Sequence, residues 1–155
     1  MIRLQREDFD IGAEIARLTK GRTDIGAVAT FTGICRGSDG GERVIAMTLE
    51  HYPGMTEAEL AGIESEAHAR WPLQASLIMH RYGRLKPGDN IVLVITASEH
   101  RAPAFRAAEF LMDYLKSHAP FWKSESGPDG ERWVEAETSD EAALSRWDDD
   151  KDAAE

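Results

Sequence analysis

Cysteine is nearly absent from this chain of 155 residues, which contains only Cys35. A single cysteine cannot form an intramolecular disulfide, and it cannot supply the cysteine set of a structural zinc site. The histidines form no HxxxH or HExxH pattern, so the sequence indicates no metal site. This inventory suits a reducing compartment, and we expect a cytoplasmic protein.

Long hydrophobic runs and an excess of positive charge are also missing. No apolar stretch approaches the roughly 20 residues that span a bilayer, and the first ten residues, MIRLQREDFD, lack the pattern of a secretory signal. The formal net charge is −10, and such a field repels a polyanion. We therefore expect no membrane and no nucleic-acid partner, and any anionic ligand must meet a local basic pocket.

The length predicts one domain, because a chain of this size can bury a sufficient core without disulfides or a structural metal. We place that domain at residues 1–147. From Asp148 the chain reads DDDKDAAE, a charged run without apolar periodicity. Residues 148–155 are therefore predicted to be an acidic, disordered tail.

Apolar periodicity predicts an α+β domain with a largely antiparallel sheet flanked by helices. Thr56 and Glu59 have capping-box spacing at the start of the second helix. Residues 34–42, ICRGSDGGE, are predicted to form a flexible loop or a plain hairpin connection. The predicted helices lie at 8–19, within 53–71 after an initial turn, at 103–118 and at 139–147, and the strands at 26–33, 43–52, 75–83, 90–98 and 132–137.

The segment MDYLKSHAPFWK, residues 112–123, places Lys116 and Lys123 at either side of an unusually apolar stretch. Pro120 ends the helix between them, so both ammonium groups can converge on one cavity, with Phe121 and Trp122 in its wall. The alternative is that both lysines are ordinary surface residues and both aromatics pack in the core.

Three further residues extend this basic set. His100 and Arg101 stand between a predicted strand and the next helix, where the helix N-terminus favours anions, so Arg101 is interpreted as an anion clamp. His100 is either part of the same site or a helix-capping or structural imidazole. Arg36 lies in the glycine-rich loop, and its charge could activate the neighbouring Cys35 thiol unless Cys35 is simply a small buried residue.

Several long strings resemble the large, catalytic subunit of molybdopterin synthase. They are FTG followed by Arg36, LEHYPGMTE, HRYGRLKPGD, DYLKSHAPFWK and RWVEA. The similarity runs from about Val28 to Trp147. It implies a hammerhead-type α/β fold and a homodimer. Each large subunit of that family holds a small ubiquitin-like sulfur-carrier subunit at an outer end, which gives a heterotetramer.

The resemblance also implies a reaction. The C-terminal thiocarboxylate of the carrier enters a pocket of the large subunit and gives sulfur to cyclic pyranopterin monophosphate, which forms the dithiolene of molybdopterin. Lys116 and Lys123 match the catalytic pair of the family, and no metal or nicotinamide cofactor is implied. The matching substrate-binding positions are Ile34, Cys35, Arg36, His100, Arg101, Lys116, Lys123, Ser124 and Glu125.

The match to the family's substrate-binding positions is not complete. Members of the family often have a lysine where this chain has Ile34, so only a backbone contact is implied there. His100 and Arg101 are expected to reach across the dimer.

A different class of function stays open, namely a non-catalytic adaptor that binds the tail of a ubiquitin-like protein. Such an adaptor would have no use for Arg36, His100 and Arg101 around a phosphate.

Overall fold

A computed structural model describes residues 1–134 and 138–148. The elements follow in the order β1 (Ile2–Gln5), α1 (Ile11–Thr19), β2 (Ala27–Ile34), β3 (Ser38–Asp39), β4 (Glu42–Arg43), β5 (Ala46–His51), α2 (Met55–Arg70), β6 (Leu73–Arg81), β7 (Gly83–Leu85), β8 (Asn90–Ser98), α3 (Arg101–Ser117), β9 (Phe121–Gly127), β10 (Gly130–Val134) and α4 (Thr138–Ser145). None of the described helices is long and apolar enough to cross a bilayer.

Two four-stranded sheets form the framework. The first has the strand order β1-β6-β8-β2, and the second has the order β10-β9-β5-β7. Within these two sheets only the β1–β6 pair is parallel among the described strands. Strands β3 and β4 pair separately as a small hairpin. The predicted α+β class with a largely antiparallel sheet is therefore confirmed.

Helices cover both faces of the first sheet. On one face, Ile78 and Val94 belong to the main core with residues of α2 and α3. On the other face, Leu77 and Leu93 pack under α1. Because successive side chains of a strand point to opposite faces, the central parts of both strands, Leu77–Met79 in β6 and Ile91–Ile95 in β8, are apolar on both faces. Their continuous hydrophobic runs made them easy to predict.

Helix starts differ in detail from the prediction. The N–H of Gly54, whose φ is 84°, donates to Glu57 at 2.6 Å and caps α2, so the predicted Thr56–Glu59 capping box is wrong. Thr56 Oγ1 instead donates to the carbonyl of Pro120 at 3.0 Å. This bond ties the start of α2 to the turn before β9.

The end of the described chain is well anchored. Trp147 is almost fully buried, and its ring packs edge-on against Trp71 and Phe110. Its Nε1 donates to Asp113 at 2.7 Å. Of the predicted tail only Asp148 is described, and residues 149–155 lie outside the described residues. Residues 135–137 of the predicted last strand also lie outside them.

Candidate functional site

A cavity of about 370 Å³ lies between the two sheets and the C-terminal end of α3. Its apolar wall includes Phe31, Met47, Leu49, Val92, Leu115 and Phe121. Its charged side chains are Arg36, Asp39, Lys116, Lys123 and Asp140. Three cations therefore face one cavity in a chain whose formal net charge is −10, and this arrangement suits an anionic ligand.

The turn after α3 brings the two lysines of the site together. Helix α3 ends at Ser117, and the N–H of His118 still donates to the carbonyl of Tyr114. The chain then reverses and enters β9 at Phe121. Lys116 from the last helical turn and Lys123 from the strand both line the cavity, with Lys116 the more exposed.

The two aromatics of this segment point to different places. Phe121 lines the cavity and stacks on His80, with ring centroids 4.0 Å apart and an interplanar angle of 18°. Trp122 does not line the cavity and instead lies against Tyr52, 4.5 Å between centroids. The prediction that both aromatics form the wall is therefore wrong for Trp122, because neighbouring residues of a strand face opposite sides.

At the end of β2, the predicted site residues also alternate between the cavity and the interior. Ile34 and Arg36 line the cavity, whereas Cys35 is buried in a cluster with Met47 and Leu85. Burial raises the pKa of the Cys35 thiol, and the negative charges of nearby carboxylates add to this shift. The side chain is therefore kept as a neutral thiol. Its position matches the small buried residue rather than the activated thiolate.

Glu125 is a buried carboxylate beside the cavity, although it does not line it. It accepts a hydrogen bond from Arg132 at 3.0 Å, and its Oε1 lies 3.7 Å from Nζ of Lys123. Ser124, between the two, is half-buried and faces away from the cavity. Glu125 therefore compensates the charge of two cations at once.

Sequence reasoning missed Arg132. Besides Glu125, this side chain contacts Asp39 at 3.4 Å and Glu42 at 3.1 Å, and the hydrogen bond that it donates to Glu125 raises its pKa. It thereby joins the β3–β4 hairpin to the β9–β10 pair. Asp39 in turn lies 3.8 Å from Arg36. The structure pairs β9 with β10 and sets Arg132 opposite Glu125, a register that the sequence did not indicate.

His100 and Arg101 do not line the cavity of their own chain. They begin α3, whereas Lys116 ends it, and a helix that rises 1.5 Å per residue puts about 22 Å between Arg101 and Lys116. Both residues are exposed, and His100 makes no side-chain capping bond. Within one chain the structure therefore separates this pair from the other basic residues.

Known proteins resemble this chain over most of its length. Residues 4–118 match the family described as MoaE protein. A protein from Mesorhizobium japonicum named molybdopterin synthase catalytic subunit is 57% identical over 148 residues, which are 94% of this chain and 92% of that protein. A protein of the same name from Escherichia coli is 53% identical over 91% of this chain and 93% of its own length.

Solved structures agree with these matches. A molybdopterin biosynthesis MoaE protein from Burkholderia ambifaria superimposes with a TM-score of 0.82 at 53% identity, covering 96% of this chain and 97% of that chain. Molybdopterin synthase from Staphylococcus aureus gives a TM-score of 0.78 at 33% identity, covering 86% and 96%. With its sequence and its fold both matched over most of their length, this chain belongs to the MoaE protein family.

Proposed function

We propose that this chain is the catalytic subunit of a molybdopterin synthase. It takes sulfur from the C-terminal thiocarboxylate of a small ubiquitin-like carrier subunit and transfers it to cyclic pyranopterin monophosphate, twice, to form a dithiolene. The observation that carries the proposal is the convergence of Lys116, Lys123 and Arg36 on one cavity of an acidic protein. Relatives that share more than half of their residues with it carry the name of this catalytic subunit.

The chemistry explains why three cations are useful. The thiocarboxylate and the cyclic phosphate are both anions, and fixed positive charges in a partly enclosed cavity stabilise them and the charge that develops during transfer. Lys123 acts as general acid or base near the attacked carbon of the pterin. Lys116 orients the thiocarboxylate and stabilises charge as sulfur leaves the acyl carbon of the carrier.

The neighbours of these lysines have supporting roles. Glu125, 3.7 Å from Lys123, orients its ammonium group. Ile34 borders the cavity and offers backbone and apolar surface. Because the Cys35 side chain is turned into the apolar cluster, a substrate contact from this position uses its main chain, and we propose the same for Ser124.

The proposed assembly is a cytoplasmic heterotetramer of two large and two small subunits. His100 and Arg101 lie about 22 Å along α3 from Lys116, so they serve a phosphate at a cavity only if that cavity belongs to a second copy of the chain. A symmetric dimer supplies such a second copy. The proposal includes no resident metal or organic cofactor, because sulfur arrives on the partner.

A direct test is reconstitution. The purified chain is incubated with a thiocarboxylated carrier and cyclic pyranopterin monophosphate, and the dithiolene product is detected. The Escherichia coli relative serves as the control that the carrier is competent. Product formation supports the catalytic proposal. If the control makes product and this chain makes none, the catalytic proposal is overturned and the adaptor function takes its place.

A further inference from the structure

His80 is a buried histidine at the cavity that the proposed reaction does not use. It lies on β6, is only 9% exposed, and lines the same cavity as Lys116 and Lys123. One face of its ring is covered by Phe121 in a nearly parallel stack. The ring is therefore held in one orientation between the sheet and the segment that carries the two lysines.

Hydrogen bonding fixes which ring nitrogen carries the proton. Nδ1 lies 2.7 Å from the main-chain carbonyl of Arg81, and a carbonyl can only accept, so Nδ1 donates. In the neutral ring Nε2 then has a free lone pair. No described residue hydrogen-bonds Nε2. Among the described residues, the fully buried side-chain atoms without a partner are His51 Nδ1 and Gln74 Oε1, and Nε2 of His80 is not one of them. His80 lines the cavity, so this nitrogen is available to a ligand there.

The ring is neutral at physiological pH. Burial lowers the pKa of His80 to about 4, and the charges of Lys116 and His51 act in the same direction. The cations of the cavity therefore face a neutral hydrogen-bond acceptor. The carboxylates of Asp39 and Asp140 also line the cavity, and Asp39 already interacts with Arg36 and Arg132.

We infer that Nε2 of His80 accepts a hydrogen bond from an N–H or O–H group on the heterocyclic part of the substrate, while the cations hold its anionic part. This inference rests on the proposed function, because cyclic pyranopterin monophosphate joins a phosphate to a pterin ring with N–H donors. A neutral acceptor at a buried site discriminates well, since a ligand without the donor leaves the nitrogen unpaired. His80 is thus a specificity-determining substrate contact.

Two amide variants, each of which replaces one ring nitrogen, separate this contact from the structural role of the ring. In His80→Asn the amide replaces Nδ1 and can still donate to the Arg81 carbonyl, but nothing replaces Nε2. In His80→Gln the longer side chain returns an acceptor near Nε2. Affinity for cyclic pyranopterin monophosphate is measured by calorimetry on the isolated chain, without carrier. We expect about a tenfold loss for His80→Asn and a loss below about threefold for His80→Gln.

Inorganic phosphate is the matched probe for the anionic part, and both variants are expected to bind it as the wild type does. A second measurement needs no variant. In protein labelled with ¹⁵N at histidine, the Nε2 resonance of His80 is expected to shift when the pterin substrate binds and to stay in place with phosphate. This measurement on the wild type tests the Nε2 contact even if His80→Asn fails to fold.

The outcomes distinguish the two proposals. If the wild type binds the pterin substrate while Nε2 does not shift, or if folded His80→Asn binds it as tightly as the wild type, the His80 contact is wrong and the proposed function stands. If the wild type does not bind the pterin substrate at all, the proposed function falls and the His80 contact falls with it.

Discussion

Lys123 and Glu125 lie on the same face of β9, with Nζ of the lysine 3.7 Å from Oε1 of the more deeply buried glutamate. Glu125→Gln keeps the shape but removes the charge that orients the ammonium. Arg132 retains Asp39 and Glu42 as partners, so the fold should survive. We expect product formation to fall by about tenfold, because charge-assisted contacts are the stronger ones.

Glu131→Gln is the matched control for this prediction. Glu131 is an exposed residue of β10 whose carboxylate lies 3.4 Å from Ser126, and we expect its variant to keep full activity. Single-turnover product formation is measured for both variants. A Glu125→Gln protein that matches the wild type would show that the pair does not position Lys123.

Lys123→Ala tests the catalytic assignment itself. If Lys123 moves a proton or stabilises charge only as the pterin is attacked, its loss should lower product formation by a factor of ~100 or more, with carrier affinity nearly unchanged. Lys20→Ala, at an exposed position after α1, is the control for removing a lysine. Full activity of folded Lys123→Ala would make residues 115–123 a packing motif only.

Lys116 is expected to respond to substitution in a different way. Lys116→Ala should lower activity, and Lys116→Arg should restore little of it, because a broad planar guanidinium replaces a compact ammonium. Since Lys116 is exposed, both variants should unfold at nearly the wild-type denaturant concentration. Activity and urea midpoints are measured together. Wild-type activity of Lys116→Arg would mean that positive charge alone is needed.

Mixed dimers test whether the site is shared between two chains. Arg101 and Lys123 belong to one site only if the former comes from a second copy, since Arg101 does not line the cavity of its own chain. Arg101→Ala and Lys123→Ala proteins, each inactive alone, are mixed under conditions that exchange subunits. We expect partial recovery, because some mixed dimers contain one intact site. No recovery despite verified exchange would place each site within one chain.

The parts of the fold that were predicted from sequence are those with local signals. Strands β6 and β8 contain apolar runs at their centres, and α3 has a clear apolar stripe. Strand β9, FWKSESG, carries no such pattern, and it is a strand because it pairs on both sides, with β5 and with β10. These partners are distant in sequence or poor in apolar residues, so no local window could reveal them.

For the cavity, too, the sequence predicted the features that depend on local chain geometry and missed those that depend on packing between the sheets. The proline turn was enough to bring Lys116 and Lys123 to one cavity, because chain reversal is a local property. His80 gave no signal, since it follows the apolar run Leu77–Met79 near the end of β6 and looks like a core residue. Its stacking partner Phe121 comes from another sheet. Only the packing of the two sheets makes that histidine part of the cavity.

The buried neutral state of His80 should be visible in the pH dependence of stability. The pKa is about 4 in the folded chain against 6.5 for an unperturbed histidine. Above pH 6.5 the ring is neutral in both states and the pKa difference has no effect. As pH falls from 6.5 towards 4, the unfolded chain gains a proton that the folded chain refuses, so the free energy of unfolding decreases, by at most ~1.4 kcal/mol per pH unit.

The part of this pH-dependent loss of stability that comes from His80 should disappear in His80→Gln. Between pH 7.5 and 5.0 the wild type should lose about 2 kcal/mol more stability than the variant, as measured by urea unfolding at both values. The charged or titratable neighbours that act on the ring, Lys116 and His51, are the same in both proteins. His118→Gln removes an exposed histidine and should behave like the wild type. An equal loss in the wild type and His80→Gln would mean that His80 is not held neutral by burial.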